Sequence, residues 1–157
     1  MNRVADLSVK RFFDENYERW KLKFLTKKND LEREVKVTEV NRPGLALTGY
    51  FDYFKNERIQ VFGKTEISYL NTIAKHKKKV IFNRFFQSYI PCIIITRRLK
   101  PICELIDTAE KHHVPVLQTN LMTTRFISEL SSYLEFNLAY RITLHGDLVD
   151  VFGIGIL

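Results

Sequence analysis

The chain has 157 residues, 45% of them hydrophobic, and a formal net charge of +7. That length and composition supply one substantial core and make a single globular domain the default. Its best apolar run, Pro91–Thr96, is strand-length and far too short to cross a membrane. The N-terminus, Met1-Asn-Arg-Val-Ala-Asp-Leu7, has neither the apolar centre nor the cleavage site of a secretory signal. Two cysteines, Cys92 and Cys103, form no disulfide framework and no metal-ligand spacing. They read as reduced residues of a cytoplasmic protein.

Charge is unevenly spread. Residues 1–100 hold 22 Lys/Arg against 11 Asp/Glu, whereas residues 101–157 hold 3 against 7. No acidic residue falls between Glu66 and Glu104, while Lys75, Lys77, Lys78, Lys79, Arg84, Arg97, Arg98 and Lys100 do. A stretch like Lys75–Lys100 attracts phosphate, nucleic acid or an acidic protein; equally, it is what a solvated helix face looks like.

In chain order, Ser8 suits the N-cap of a short helix, Val9–Tyr17, with Phe12 and Phe13 pointing inward. Trp20–Leu25 alternates apolar and polar side chains as a strand does. Thr26–Asp30 is a polar turn, and Val35–Val40 alternates again. Arg42-Pro-Gly44 then breaks the chain. Ile59–Phe62 is a short strand closed by Gly63, and helical patterns cover Thr65–Ala74 and Val80–Gln87. Cys92–Thr96 reads as a buried strand, and Pro101 suits the first turn of a helix that carries Ile102, Leu105, Ile106 and Ala109. Val114–Thr119 is the next strand. Thr123 or Thr124 caps a long helix with the apolar stripe Phe126, Ile127, Leu130, Tyr133, Leu134 and Leu138. Arg141–Asp150 is strand again.

Strands alternating with helices predict a three-layer α/β fold, a mostly parallel sheet flanked by helices. The last stretch, with Gly146 and Gly153 available to bend it, is the one place where an exception to parallel order is expected. The change of composition near residue 58 marks at most a subdomain edge.

Few residues invite chemistry. His145 stands at the start of the final strand, before a glycine that lets backbone approach a ligand, and imidazole can bind phosphate oxygens or move a proton near neutral pH. A structural histidine at a strand end is the plainer reading. His112 and His113 close a helix, where a favourable interaction with its C-terminus explains them, and His76 belongs to the basic stretch. None of the four histidines has metal-ligand spacing, so no metal site is expected. Gly153-Ile-Gly155 hints at a phosphate loop, but no Gly-x-x-x-x-Gly-Lys-Ser/Thr and no Gly-x-Ser-x-Gly is present. In Arg42–Phe54, Arg42 beside a tight turn can bind an anion and Tyr50 and Tyr53 can stack on a ligand; aromatic packing against the sheet is the alternative.

Four segments in order carry a family resemblance: Arg42-Pro-Gly-Leu-Ala-Leu-Thr-Gly-Tyr-Phe51, Arg58-Ile-Gln-Val-Phe-Gly-Lys-Thr-Glu66, Pro91-Cys-Ile-Ile-Ile-Thr96 and His145-Gly-Asp-Leu-Val-Asp-Val-Phe-Gly-Ile-Gly-Ile-Leu157. The succession resembles the N-terminal part of HPr kinase/phosphorylase, the bacterial regulator of carbon catabolite repression. The likeness covers the chain from about Leu31 to its end. Its most specific part is the last segment, in which Asp147 departs from the apolar residue expected there.

The resemblance implies that residues 1–140 are an N-terminal α/β domain without assigned chemistry. Residues 141–157 would begin a C-terminal kinase domain, reached through a strand that leads into a P-loop (Walker A) beyond Leu157. It places the family's active-site histidine on His145, with the lysine, aspartate and arginine that work beside it beyond Leu157. It further implies ATP and Mg2+ as cofactors of the whole protein, none of them bound by these 157 residues, which alone would be inactive. The implied partner is the phosphocarrier protein HPr. It is phosphorylated on a serine with ATP (or pyrophosphate) and dephosphorylated by phosphorolysis, within a cytoplasmic homo-hexamer built mainly by the missing domain. Membrane and nucleic acid are not implied partners. The alternative from the residues alone is a non-catalytic regulatory module that recognises an anionic metabolite, an acidic protein or nucleic acid through Arg42 or the basic stretch.

Overall fold

The structure, a computed structural model, describes residues 6–139. Its elements in order are α1 (Val9–Asn16), β1 (Lys23–Phe24), β2 (Val40–Asn41), α2 (Gly44–Leu47), β3 (Ile59–Phe62), α3 (Lys64–Leu70), α4 (Lys75–Phe85), β4 (Ile93–Ile95), α5 (Cys103–Lys111), β5 (Val116–Gln118) and α6 (Thr123–Leu134). A π-helical turn, Glu135–Ala139, extends α6. The strands form one sheet in the order β1-β5-β4-β3-β2, in which β2 to β5 are parallel and β1 runs antiparallel to β5.

Every residue of β3, β4 and β5 is buried. Parallel strands are buried on both faces because their crossover helices need a sheet surface to cover. Each crossover from β2 to β5 moves one strand in the same direction, and the common handedness of such connections puts α2 to α5 on one side. Alternation along the strands then divides the core. Phe62, Ile93, Ile95 and Val116 pack with Leu70, Phe82, Phe85 and Leu105 on the α2–α5 side. Ile59, Val61, Ile94 and Leu117 face the other way, onto Phe12 of α1, Trp20 and Phe126, Leu130 and Leu134 of α6.

Trp20 centres the second layer. It is fully buried, with ring centroids 5.7 Å from Phe12, 5.4 Å from Phe126 and 5.8 Å from Tyr133. Fully burying one large apolar side chain stabilises by about 1.5–3 kcal/mol, so this cluster fastens both helices to the sheet. Ser8 caps α1 as expected, its hydroxyl accepting from the Arg11 N–H at 3.0 Å. Arg11 also reaches Asn137 at 2.7 Å, tying α1 to the turn after α6.

Several sequence expectations shift. Only Lys23–Phe24 of Trp20–Leu25 is strand; Trp20 and Leu22 enter the core from the turn after α1, where the Trp20 N–H still donates to the Asn16 carbonyl at 3.0 Å. That strand is antiparallel to its neighbour, while the exception expected in the last stretch lies outside the described residues. From Val35 to Val40 only the last residue joins a ladder, although Val35 is buried and its N–H donates to the Leu7 carbonyl at 2.8 Å. The helix expected over Val80–Gln87 begins at Lys75, because the lysines that hide the apolar rhythm are its solvated first turns. Thr123 is the first residue of α6, not its cap, and Met122 stands at the cap position without a side-chain bond. The change near residue 58 separates nothing, since β1 and β2 join the same sheet as β3 to β5. The strand expected at Arg141–Asp150 and the domain start at 141–157 lie outside the described residues.

The Trp20 indole N–H donates to Glu129 at 2.8 Å, and Arg125 donates to the other carboxylate oxygen at 3.0 Å. The bond from Arg125, then that from Trp20, holds the Glu129 carboxyl below its ordinary 4.5. A carboxyl depressed in the folded state gives stability above its ordinary value that is lost as pH falls through the folded value. Denaturant unfolding followed through Trp20, the one tryptophan of the chain, is expected to show stability falling as pH drops below about 4.5. Glu129→Gln is expected to flatten that slope.

Candidate functional site

Ligands of open α/β sheets approach at the carboxyl ends of the parallel strands. Four turns meet along that edge here: Arg42 after β2, Gly63 after β3, Thr96 to Lys100 after β4, and Thr119 to Met122 after β5.

Gly63 is where they touch. A Cβ on this residue would stand 2.7 Å from the Arg42 guanidinium and 2.8 Å from the Thr123 hydroxyl. Its φ of −111° suits any residue, so space alone demands glycine. The Gly63 N–H donates to Glu66 Oε1 at 2.8 Å, which is the N3-to-cap half of a capping box at the start of α3. Arg42 grips the same carboxylate with both arms, Nη2 to Oε1 at 2.6 Å and Nε to Oε2 at 3.1 Å. Glu66 is 4% exposed and Arg42 40%, so the pair closes the edge from inside and shows one flank to water. Bidentate charge-assisted bonds of this kind fix direction as well as distance.

Thr96 extends the cluster. Its N–H donates to the Phe62 carbonyl at 3.0 Å, and its hydroxyl lies 2.6 Å from that of Thr123. The Arg97 N–H donates to the Leu121 carbonyl and the Arg98 N–H to the Thr119 carbonyl, both at 2.9 Å. The Gln118 amide donates to the Leu99 carbonyl at 2.8 Å. The turns after β4 and β5 are thereby laced together.

Chemically, this arrangement positions rather than reacts. Both Glu66 oxygens are occupied by donors, so no lone base or nucleophile is presented. Among the described residues no three His, Cys, Asp or Glu side chains gather as metal ligands. Nor is any helix among them long and apolar enough to cross a membrane.

The residues singled out in the sequence scatter. Arg42 is paired with Glu66 and is no free anion binder. Tyr50 and Tyr53 are exposed and line a cleft of about 160 Å³ with Arg42 and Leu45, whereas Phe51 and Phe54 pack inward, Phe54 at 4.9 Å from Phe85. His112 caps the C-terminus of α5 and stacks on Phe86 at 5.7 Å; His113 follows it, 4.0 Å from Asp30. His76 is exposed in the first turn of α4. Burial pushes the Cys92 thiol up to about 12, making it inert, and Cys103 is exposed at the start of α5. Lys75, Lys77 and Lys79 are exposed, as a solvated helix face requires, while Lys78 lies 3.5 Å from Glu104. His145 lies outside the described residues. Sequence reasoning missed Glu66, Thr96 and Thr123. The Gly63-x-x-Glu66 spacing signals a helix start, but nothing local announces Arg42 as the partner of Glu66.

The fold and its laced edge define a three-layer α/β domain with an open, mostly parallel sheet. The family described as HPr Serine kinase N terminus matches residues 7–134, and the chain belongs to that family. Relatives named HPr kinase/phosphorylase are 45% identical over 137 residues in Clostridium tetani, covering 87% of this chain and 45% of the relative, and 44% identical over 126 residues in Caldicellulosiruptor bescii, covering 80% and 40%. A third, from Latilactobacillus sakei subsp. sakei, is 43% identical over 126 residues, again 80% and 40%. The chain thus spans less than half the length of these curated relatives.

Gly63→Ala is expected to destabilise the domain by about 1–3 kcal/mol in denaturant unfolding, because Thr123 is too short to yield. Glu66→Gln is expected to cost about 2 kcal/mol by the same measurement, through lost charge-assisted bonds to Arg42.

Proposed function

We propose that this chain is the N-terminal part of a bifunctional HPr serine kinase/phosphorylase. The observation that carries the reading is the 45% identity over 87% of the chain to a relative of that name, within a family match spanning residues 7–134. In this reading the whole protein transfers phosphate from ATP to a serine of the phosphocarrier HPr. It removes that phosphate by phosphorolysis, with inorganic phosphate as acceptor, and so regulates carbon catabolite repression in the cytoplasm as a homo-oligomer, a hexamer.

ATP and Mg2+ belong to a kinase domain. The described residues do not fit them: they hold no metal-ligand cluster, and no Walker A loop occurs in the sequence. Phosphoryl transfer rests on positioning and charge stabilisation by such a loop, its lysine and the metal. His145 is this chain's own contribution to the reaction, a group that can hold or move a proton near neutral pH or donate to a phosphate oxygen. The described domain serves regulation or assembly.

The test joins the 157 residues to the C-terminal part of the Clostridium tetani relative. The fusion is expected to phosphorylate HPr on serine with ATP and to reverse this with inorganic phosphate, while the 157-residue chain alone does neither. His145→Ala in the fusion is expected to lower the rate by about 100-fold or more. Unchanged turnover in that variant would remove His145 from the site.

A further inference from the structure

Arg97 and Arg98 follow β4 directly and take φ values of +60° and +52°. Left-handed backbone is uncommon for residues other than glycine, and these are the one successive pair of them among the described residues. Lys21 and His113 share the conformation singly in turns, and Asp30 just before one. The two arginine N–H groups are held by the Leu121 and Thr119 carbonyls, so the turn itself is fixed by backbone bonds that glycine would make equally well. Both arginines are exposed. Neither side chain makes an ion pair or hydrogen bond among the described residues, so the fold gains nothing visible from the guanidinium groups. Strained positions of this kind gather at ligand sites.

Unpaired charge in the surroundings is positive among the described residues. Lys64 opens α3 beside this turn, since Thr96 bonds to Phe62 in the next strand, and it is exposed. Lys100 lines a cleft of about 260 Å³ beside the Lys78–Glu104 pair. The acidic groups nearby are spent, Glu66 on Arg42 and Glu104 on Lys78 and its own N–H at the start of α5. The turn has no aromatic residue from Thr96 to Pro101 on which a base would stack. Guanidinium forks match phosphate oxygens, and two in succession match an anion that carries several.

We propose that the turn after β4 is a binding site for a small polyphosphate-bearing anion, with Arg97 and Arg98 as its ligands and Lys64 and Lys100 supplying the field. The site is independent of the kinase reading, because it lies wholly in the described domain and is read by binding, not turnover.

Calorimetric titration of the 157-residue chain with inorganic tripolyphosphate tests it. Saturable one-to-one binding is expected, weaker for orthophosphate and weakened by added salt. Arg97→Gly/Arg98→Gly is expected to lose about 10-fold or more in affinity while its Tm is unchanged or higher, since glycine takes the same backbone without strain. Should the double variant not fold, Arg98→Gly alone carries the test, with a loss of about threefold or more. Lys36→Ala, remote from the turn, is the control and is expected to bind as the parent does. Absence of saturable binding, equal affinity in the glycine variants, or binding of a single-stranded oligonucleotide without binding of tripolyphosphate each overturns the proposal.

Discussion

Burial of β3, β4 and β5 on both faces is the constraint from which the rest of this domain follows. Three strands of three or four residues cannot hold themselves together in water. They persist because Phe62, Ile93, Ile95 and Val116 meet one helical layer while Ile59, Val61, Ile94 and Leu117 meet the other. Parallel order requires the crossovers, the crossovers supply the first layer, and Trp20 gathers α1 and α6 into the second. The two-residue edge strands β1 and β2 leave little open ladder for another chain to join.

That arrangement brings the loop ends of four parallel strands to one edge, where polar residues from distant parts of the chain take over from apolar packing. Arg42, Gly63, Glu66 and Thr123 lock together in a space that tolerates no Cβ at residue 63. The lock consumes the charge of Arg42. Cations left facing solvent on the same edge include those of the turn after β4, where two arginines occupy backbone that favours glycine. The edge therefore has an inner part that stabilises and an outer part that offers charge.

The kinase/phosphorylase reading and the edge occupy separate parts of the chain. The reading rests on relatives of which this chain covers 45% and 40%, and it assigns the reacting groups to His145 and to a kinase domain. Among the described residues no three His, Cys, Asp or Glu side chains gather as metal ligands, and the laced edge positions its polar groups against one another.

The long apolar rhythms were legible in the sequence. β3, β4, α5 and the stripe of α6 stand where periodicity puts them, because burial on a fixed face writes a repeat into the residues. Ser8 was legible as a cap, since its bond is local. Alternation at Trp20–Leu25 and Val35–Val40 misled, because a turn or an unpaired extended segment can bury every second side chain without a ladder. Lysines masked the start of α4, and Thr123, apparently a cap, spends its hydroxyl on Thr96 instead. The family was also legible, through motif order that needs no geometry. What the sequence by itself determined is which segments must be buried and on which period. Only the tertiary structure decided that Arg42 meets Glu66, that Gly63 must lack a side chain, and that Arg97 and Arg98 stand strained at a sheet edge, unpaired among the described residues. Those facts depend on residues brought together across the sheet, and no local pattern encodes them.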